Sequence, residues 1–285
     1  MISKAQLLKK FKKMGENLNE KLGDVQSRGE KNLLIGLQKG LEDIENQILL
    51  VVKGLAVEDG KIENSPRNLD QIIARRKGIE RIIEGIILSG TKAFVTSSLE
   101  AENVNRKEFN AWVKELQKMG LSAEFALTDK PYIQEVTRAA IKIYGDSTRE
   151  ISDVIQQGLI RMSLGGATPE QLINEMTAKI PAIDKVRVDG GRYRLSADAR
   201  ARFIYRTETT KINAKVMDKL SKQAFGGNYL VQNFNPMDNR TDQVLCAPAT
   251  EAGPIKINEL IGRFGLPGRH PNCRCSIGSL PDFIV

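Results

Sequence analysis

A chain of 285 residues with 41% hydrophobic and 27% charged side chains can bury a core and has the composition of a globular protein. Its 43 Lys and Arg against 35 Asp and Glu give a net charge of +8, which favours polyanionic partners such as nucleic acid. No run approaches eighteen consecutive apolar residues, and the lysine-rich N-terminus lacks a signal-peptide pattern, so we expect no membrane segment and a reducing compartment with free thiols.

Apolar residues at a spacing of three and four predict three long amphipathic helices, over residues 4–22, 30–55 and about 68–94. A polar break from Glu58 to Pro66 separates the second helix from the third. Each apolar stripe needs a partner to bury it, so these helices predict a bundle or hairpin. We expect a packed helical region without a converging polar pocket within residues 1–130.

The first predicted helix is basic, with eight basic and four acidic residues among positions 1–32. Lys9, Lys10, Lys12 and Lys13 are the candidates for contact with nucleic acid or a protein partner. The alternative is that these lysines form an ordinary solvated helix face.

The middle of the chain is predicted to be less regular over residues 96–131, with a short helix from Arg106 to Met119 around the only tryptophan, Trp112. Thr168 followed by Pro169 marks the start of a helix, since threonine caps and proline suits the first helical position. The other helices predicted in this region cover residues 131–144 and 148–163.

The C-terminal part changes periodicity. A short hairpin is predicted around Gly190, and a long helix follows to Phe225, where two glycines stop it. Strands are then predicted over residues 229–234, 254–257 and 273–277. The chain is therefore predicted to be mainly α, with long N-terminal helices in region 1–130 and a second region, 131–285, whose residues 226–285 form a small α+β module.

The cysteines and the histidine, which are metal-binding residue types, lie close together near the C-terminus. Cys246, His270, Cys273 and Cys275 supply three sulfurs and the chain's only imidazole, a set suited to a tetrahedral structural zinc. Two alternatives remain at this point: a small thiol-lined core with the histidine bonded to backbone, or a disulfide from Cys246.

Charged residues upstream offer a second candidate cluster. Arg206 and Glu208 lie within the long helix, where a buried network between them competes with a surface ion pair from Glu208 to Lys211 or Lys215. Asp238 is a candidate helix cap, and with Arg240 it belongs to the same candidate structural network as Arg206 and Glu208.

A catalytic centre built from Glu208, Asp238 and His270 is conceivable as a nuclease or transferase. It lacks a second histidine and a paired-carboxylate spacing, so no catalytic residue is assigned.

The order of these motifs resembles the minor head, or head-morphogenesis, proteins of tailed bacteriophages, the family named for the Mu F protein. The likeness covers about residues 150–278, and its most specific part is the closing heptad. The matching positions are Arg206, Thr207, Glu208, Asp238, Arg240, Thr241, Cys246, Gly253, His270, Pro271, Asn272, Cys273, Arg274 and Cys275.

The resemblance implies a low-copy structural protein, assembled in the host cytoplasm and located inside the capsid at the portal vertex. Its implied partners are the portal protein, the major capsid protein and double-stranded phage DNA, during head morphogenesis, DNA packaging or ejection. Modules of this kind also occur joined to toxin or transferase domains, so a phage-borne enzyme is one alternative function. A stand-alone DNA-binding protein is the other.

Overall fold

The computed structural model describes residues 4–120, 157, 160, 168–171, 186–187, 193–194, 197–238, 241–270 and 273–282. This part of the chain is mostly helical, with long N-terminal helices and a small C-terminal module of strands and short helices, as predicted from the sequence. The helices predicted over residues 131–144 and 148–163 lie outside the described residues.

Two helices replace the four predicted before residue 120. Helix α1 covers Lys4–Gly54 and helix α2 covers Pro66–Lys118. The predicted breaks near residues 23–29 and 95–105 were wrong because neither stretch contains proline, and apolar positions such as Val25 and Ala101 continue the buried stripe.

The polar connection between the helices is confirmed. It forms a two-residue antiparallel pair, β1 (Val57–Glu58) with β2 (Lys61–Ile62), around a turn in which Asp59 and Gly60 have positive φ. The buried Asn68 side chain fixes this connection, since its amide donates to the carbonyls of Ala56 and Glu63.

The chain forms two compact units, each built from separate segments. Unit 1 contains residues 1–30, 94–139 and 203–285, and unit 2 contains residues 31–93 and 140–202. The division predicted from the sequence at residue 130 is linear, whereas α1 and α2 each contribute to both units.

Unit 1 contains the C-terminal elements. Helix α3 (Ala197–Phe225) ends at Gly226, whose φ of 80° is the left-handed conformation of a helix stop. Beyond it, an antiparallel sheet has the order β6-β5-β7, and helices α4 (Cys246–Glu251) and α5 (Ile257–Phe264) connect its strands; β5 is Tyr229–Phe234, β6 is Ile255–Lys256 and β7 is Ser276–Pro281. The third strand therefore begins after Cys275, and not at Cys273 as predicted.

The core of unit 1 contains a group of aromatic rings among its aliphatic residues, and it joins α1, α2 and the sheet. The Phe11 ring lies 5.7 Å from the Trp112 ring and 5.8 Å from the Phe234 ring. The indole nitrogen of Trp112 donates to the carbonyl of Ser279 in β7 at 3.2 Å. The C-terminal module is thus docked on both long helices.

The first segment of unit 2 is aliphatic. Residues 31–93 contain no aromatic residue, and Ile44, Ile48 and Ile79 are fully buried. The hairpin predicted around Gly190 is present as β3 (Val186–Arg187) paired with β4 (Tyr193–Arg194). The predicted cap at Thr168 is confirmed, because its hydroxyl accepts from the Gln171 amide at 3.1 Å.

Helix α2 contains an 18-residue stretch with a mean hydropathy of 1.2, which by length and composition could cross a membrane. Only 28% of that stretch is buried within the protein. The absence of a membrane segment therefore stays a prediction.

Candidate metal centre

Three cysteines from two separate segments converge on one buried point in unit 1. Cys246 begins α4, while Cys273 and Cys275 lie in the extended stretch before β7. Their sulfur atoms all lie within 4.8 Å of one another, and all three residues are at most 4% exposed. These three cysteines therefore form a buried cluster that can bind a metal ion.

The fourth predicted ligand contacts this cluster. The Nε2 atom of His270 lies 2.8 Å from the Cys246 sulfur, a hydrogen-bond contact. Asn235, which follows β5, donates its side-chain amide to the Cys275 sulfur at 3.0 Å. Bonds of this type orient thiolate ligands and tune a metal site.

Local structure explains how both segments reach the same point. Asp242 accepts hydrogen bonds from the amides of Val244 and Leu245, which forms the turn that leads into α4. The hydrogen bond from Leu245 is the largest of the effects that lower the pKa of the Asp242 carboxyl. Asp238, the candidate cap from the sequence, does not form this turn; its carboxylate pairs with Arg274.

The loop before His270 lies directly against α3. Gly268 has a φ of 89°, and a Cβ atom there would come within 2.2 Å of the Lys211 side chain and 3.0 Å of its backbone nitrogen. The Thr210 hydroxyl donates to the carbonyl of Cys273 at 2.7 Å. The closing heptad is thus fastened to the helix that carries Arg206, Thr207 and Glu208, while Pro271 and Asn272 lie outside the described residues.

The thiols favour one thiolate. Hydrogen bonds from the Cys246 and Cys275 thiols hold the pKa of Cys273 well below its usual range, and the backbone amides of Cys275 and Gly268 add to the effect. The pKa of Cys246 is raised, mainly because its thiol donates a hydrogen bond to the Cys273 sulfur. A thiolate is the form of cysteine that binds metal.

One sulfur–sulfur distance matches tetrahedral zinc coordination. Zinc–sulfur bonds of about 2.3 Å require sulfur atoms about 3.8 Å apart, and Cys246 and Cys273 have their sulfurs 3.9 Å apart. A ligand imidazole would lie about 3.6 Å from each sulfur. His270 contacts the Cys246 sulfur at 2.8 Å, but it does not belong to the group whose ligand atoms all lie within 4.8 Å of one another, so it would have to move to become the fourth ligand. All three cysteines are free, which removes the disulfide alternative in this state.

The charged cluster predicted within α3 is arranged differently. Arg206 does not form its main ion pair with Glu208; its guanidinium bonds both carboxylate oxygens of Glu30 in α1, at 2.6 and 3.0 Å. Glu208 instead pairs with Lys211 at 2.8 Å on the surface, as the alternative interpretation predicted.

Asp238 forms a two-point ion pair with Arg274 of the closing heptad. The predicted network member Arg240 lies outside the described residues. The three residues considered for catalysis thus bind different partners: Glu208 binds Lys211, Asp238 binds Arg274 and His270 binds Cys246.

A polar cavity of about 200 Å³ lies in unit 1 between α1, α3 and the residues before β7. Its walls include Gln26 and Glu30 of α1, Arg206 of α3, and Arg274 and Cys275. From the sequence we expected no polar pocket within residues 1–130. The cavity found here is formed by α1 together with C-terminal residues, an arrangement that the sequence did not predict.

The four N-terminal lysines lie on α1. All four are exposed. Lys10 forms an ion pair with Glu115 at 3.3 Å, and Lys12 lies 4.0 Å from Glu16. Within the described part of the chain, Lys9 and Lys13 form no ion pair.

Comparison of the chain with protein-family models, curated proteins and solved structures found no match.

Two residues of the site were missed in the sequence. Glu30 interrupts the apolar stripe of α1 between Val25 and Leu33, and a buried acid at a stripe position is a signal that it has a basic partner. Asn235 gave no signal, because its role depends on a contact with Cys275, which is 40 residues away.

Proposed function

We propose that this chain is a structural minor head protein of a tailed bacteriophage, acting in capsid assembly and in DNA packaging or delivery near the portal. The proposal begins from the motif order that resembles the Mu F-like family. One structural observation carries it: the most specific motif, the closing heptad, is held against α3 by Thr210 and by the close approach of the preceding Gly268, and it meets the start of α4 in the cysteine cluster. Such an arrangement is architectural.

The test of this role is the protein content of phage particles. Mature virions and empty proheads of the phage that encodes the chain are fractionated, and the protein is counted against the portal protein. We expect a few copies per portal in both kinds of particle. Absence from both would overturn the proposal.

We infer further that the centre holds a structural zinc ion, bound by Cys246, His270, Cys273 and Cys275. Four protein ligands leave no open position for substrate or water. When bound, zinc would supply a cross-link between the start of α4 and the segment leading to β7.

Trp112 provides a specific readout of this cross-link, because the only indole in the chain bonds to Ser279 of β7. Removing the metal with a chelator should weaken the docking of β7 and shift the tryptophan emission to longer wavelength, and added zinc should restore it. The Cys273→Ser variant should show the shifted emission with or without zinc. Emission that does not respond to metal in the wild-type protein would contradict a zinc cross-link.

We also propose that the N-terminal part of α1 contacts phage DNA through Lys9 and Lys13, the two lysines without an ion pair within the described residues. Backbone phosphates require only positive charge, so this binding should weaken steeply with salt. In the assembled head it would act alongside binding to portal or capsid protein. Replacing Lys9, Lys10, Lys12 and Lys13 by glutamine should abolish DNA binding by the isolated chain but leave portal association intact. Salt-independent DNA binding by this variant would contradict the contact.

A further inference from the structure

The outward face of α2 in unit 2 carries a row of exposed residues. Ile73, Lys77, Glu80, Glu84 and Leu88 follow one another at spacings of four, three, four and four, so they share one side of the helix. The two apolar ends of the row are large and accessible, with Ile73 52% exposed and Leu88 72% exposed. Single exposed apolar residues are ordinary on a protein surface, so it is the charged residues between these two ends that indicate an interface.

Four members of the row are symmetric about the point between Glu80 and Arg81, and the exposed Arg81 is the counterpart of the fifth, Glu80. Lys77 and Glu84 lie at equal distances on either side of that point, and so do Ile73 and Leu88. An antiparallel second copy of α2, placed with a two-fold axis there, would set Lys77 opposite Glu84. It would also set Glu80 opposite Arg81 and Ile73 opposite Leu88. This is the self-complementarity that an isologous two-fold interface requires.

The charges within one copy favour such a partner. Lys77 and Arg81 stand four residues apart, as do Glu80 and Glu84, and like charges at this spacing destabilise an isolated helix. Among these four residues, only Glu80 has an ion pair in the described part of the chain, with Arg76 at 2.8 Å. A second copy would bring opposite charges to both like-charged pairs.

The unit 2 part of helix α1 also carries two large exposed apolar residues, Ile35 and Leu50. A Cβ atom on Gly36 would contact Ser89, and one on Gly54 would contact Gln71, so the two helices run antiparallel. At this register the exposed Ile35 of α1 lies at the level of Leu88. The exposed Leu50 lies at the level of Ile73 in the same way.

We propose that the chain forms a homodimer through this face, with the α2 helices of two copies antiparallel and the two-fold axis between Glu80 and Arg81. The charged centre sets the register, and the apolar ends provide the burial that stabilises it. The surface lies outside the cysteine cluster and the cavity, so the proposal is independent of the phage role.

Charge exchange in the full-length chain tests the dimer and its register together. The association constant is measured by sedimentation equilibrium for the wild type, Lys77→Glu, Glu84→Lys and the double exchange. Each single variant should weaken dimerisation at least about tenfold, because it sets like charges against each other at two symmetry-related places. The double exchange should restore wild-type affinity.

Leu88→Glu should also dissociate the dimer, whereas Val244→Glu, at a 77% exposed apolar residue of unit 1, should leave it intact. Circular dichroism confirms that each variant is folded. A wild-type chain that stays monomeric up to high concentration would overturn the proposal. So would a dimer that none of the α2 variants weakens, or a double exchange that fails to restore association.

Discussion

The same two helices are packed in different ways in the two units. In unit 1 they are joined by aromatic rings and by polar contacts to the C-terminal module, such as Trp112 with Ser279 and Glu30 with Arg206. In unit 2, residues 31–93 contain no ring and rely on aliphatic side chains and glycines. The packing of one helix pair is therefore determined by aromatic rings and hydrogen bonds in unit 1, and by aliphatic contacts in unit 2.

The largest effect is expected from truncating the core of each unit. Phe11→Ala removes a fully buried ring that touches Trp112 and Phe234, and should lower the free energy of unfolding by about 3–5 kcal/mol. Ile79→Ala in unit 2 should cost about 2–4 kcal/mol, since the aliphatic neighbours can relax into the space. Urea denaturation of both variants measures the difference. An equal or larger loss at Ile79 would contradict the contrast between the units.

Glycines that lie against a neighbouring side chain provide a second test of the difference in packing between the two units. A Cβ atom on Gly29 in unit 1 would meet the Tyr205 hydroxyl at 1.8 Å, and one on Gly40 in unit 2 would meet the Ile86 side chain at 2.1 Å. Gly29→Ala should cost about 2–3 kcal/mol, because it also breaks the hydrogen bond between Tyr205 and Ser97. Gly40→Ala should cost about 1 kcal/mol, because the isoleucine can change rotamer.

Two glycines without neighbours within 4 Å serve as the matched controls, Gly23 in unit 1 and Gly85 in unit 2. Alanine at either position should raise the free energy of unfolding by about 0.5–1 kcal/mol, since alanine is the better helix former. Destabilisation at these controls equal to that at Gly29 and Gly40 would show that close approach is not the cause.

Some of these features could be predicted from the sequence, and others could not. The apolar spacing predicted helices, and the clustering of Cys246, His270, Cys273 and Cys275 along the chain predicted a common centre. The sequence could not predict that Arg206 forms its main ion pair with Glu30 and not with Glu208, because Arg206 and Glu30 are 176 positions apart in the chain. The helix breaks near residues 23–29 and 95–105 were predicted wrongly, because buried positions such as Val25 and Ala101 continue the apolar stripe through both stretches.

The smallest effect concerns the buried tyrosine of unit 1. Burial raises the pKa of Tyr205 to about 12. In the unfolded chain tyrosine ionises near pH 10. Because the folded pKa is the higher one, the stabilisation is complete below pH 10 and is lost as the pH rises towards 12. Tyr205→Phe should cost about 1 kcal/mol at pH 8 and show a smaller loss of stability between pH 10 and 12.

Urea denaturation of the wild type and of Tyr205→Phe, each at pH 8 and pH 11, measures how much stability each protein loses between the two pH values. Tyr229, which burial and Asp218 also shift to a higher pKa, remains in both proteins and so cancels in the comparison. Identical losses of stability between the two pH values would show that Tyr205 does not titrate with unfolding.

We propose that the cysteine cluster of unit 1 is a zinc site that fastens the segment before β7 to the start of α4. Native mass spectrometry and metal analysis of the full chain, purified without added chelator, test it most directly. The account predicts one zinc ion per chain and three thiols that resist modification until a chelator is added. Less than half an equivalent of zinc, with all three thiols titrating freely in the folded protein, would contradict it.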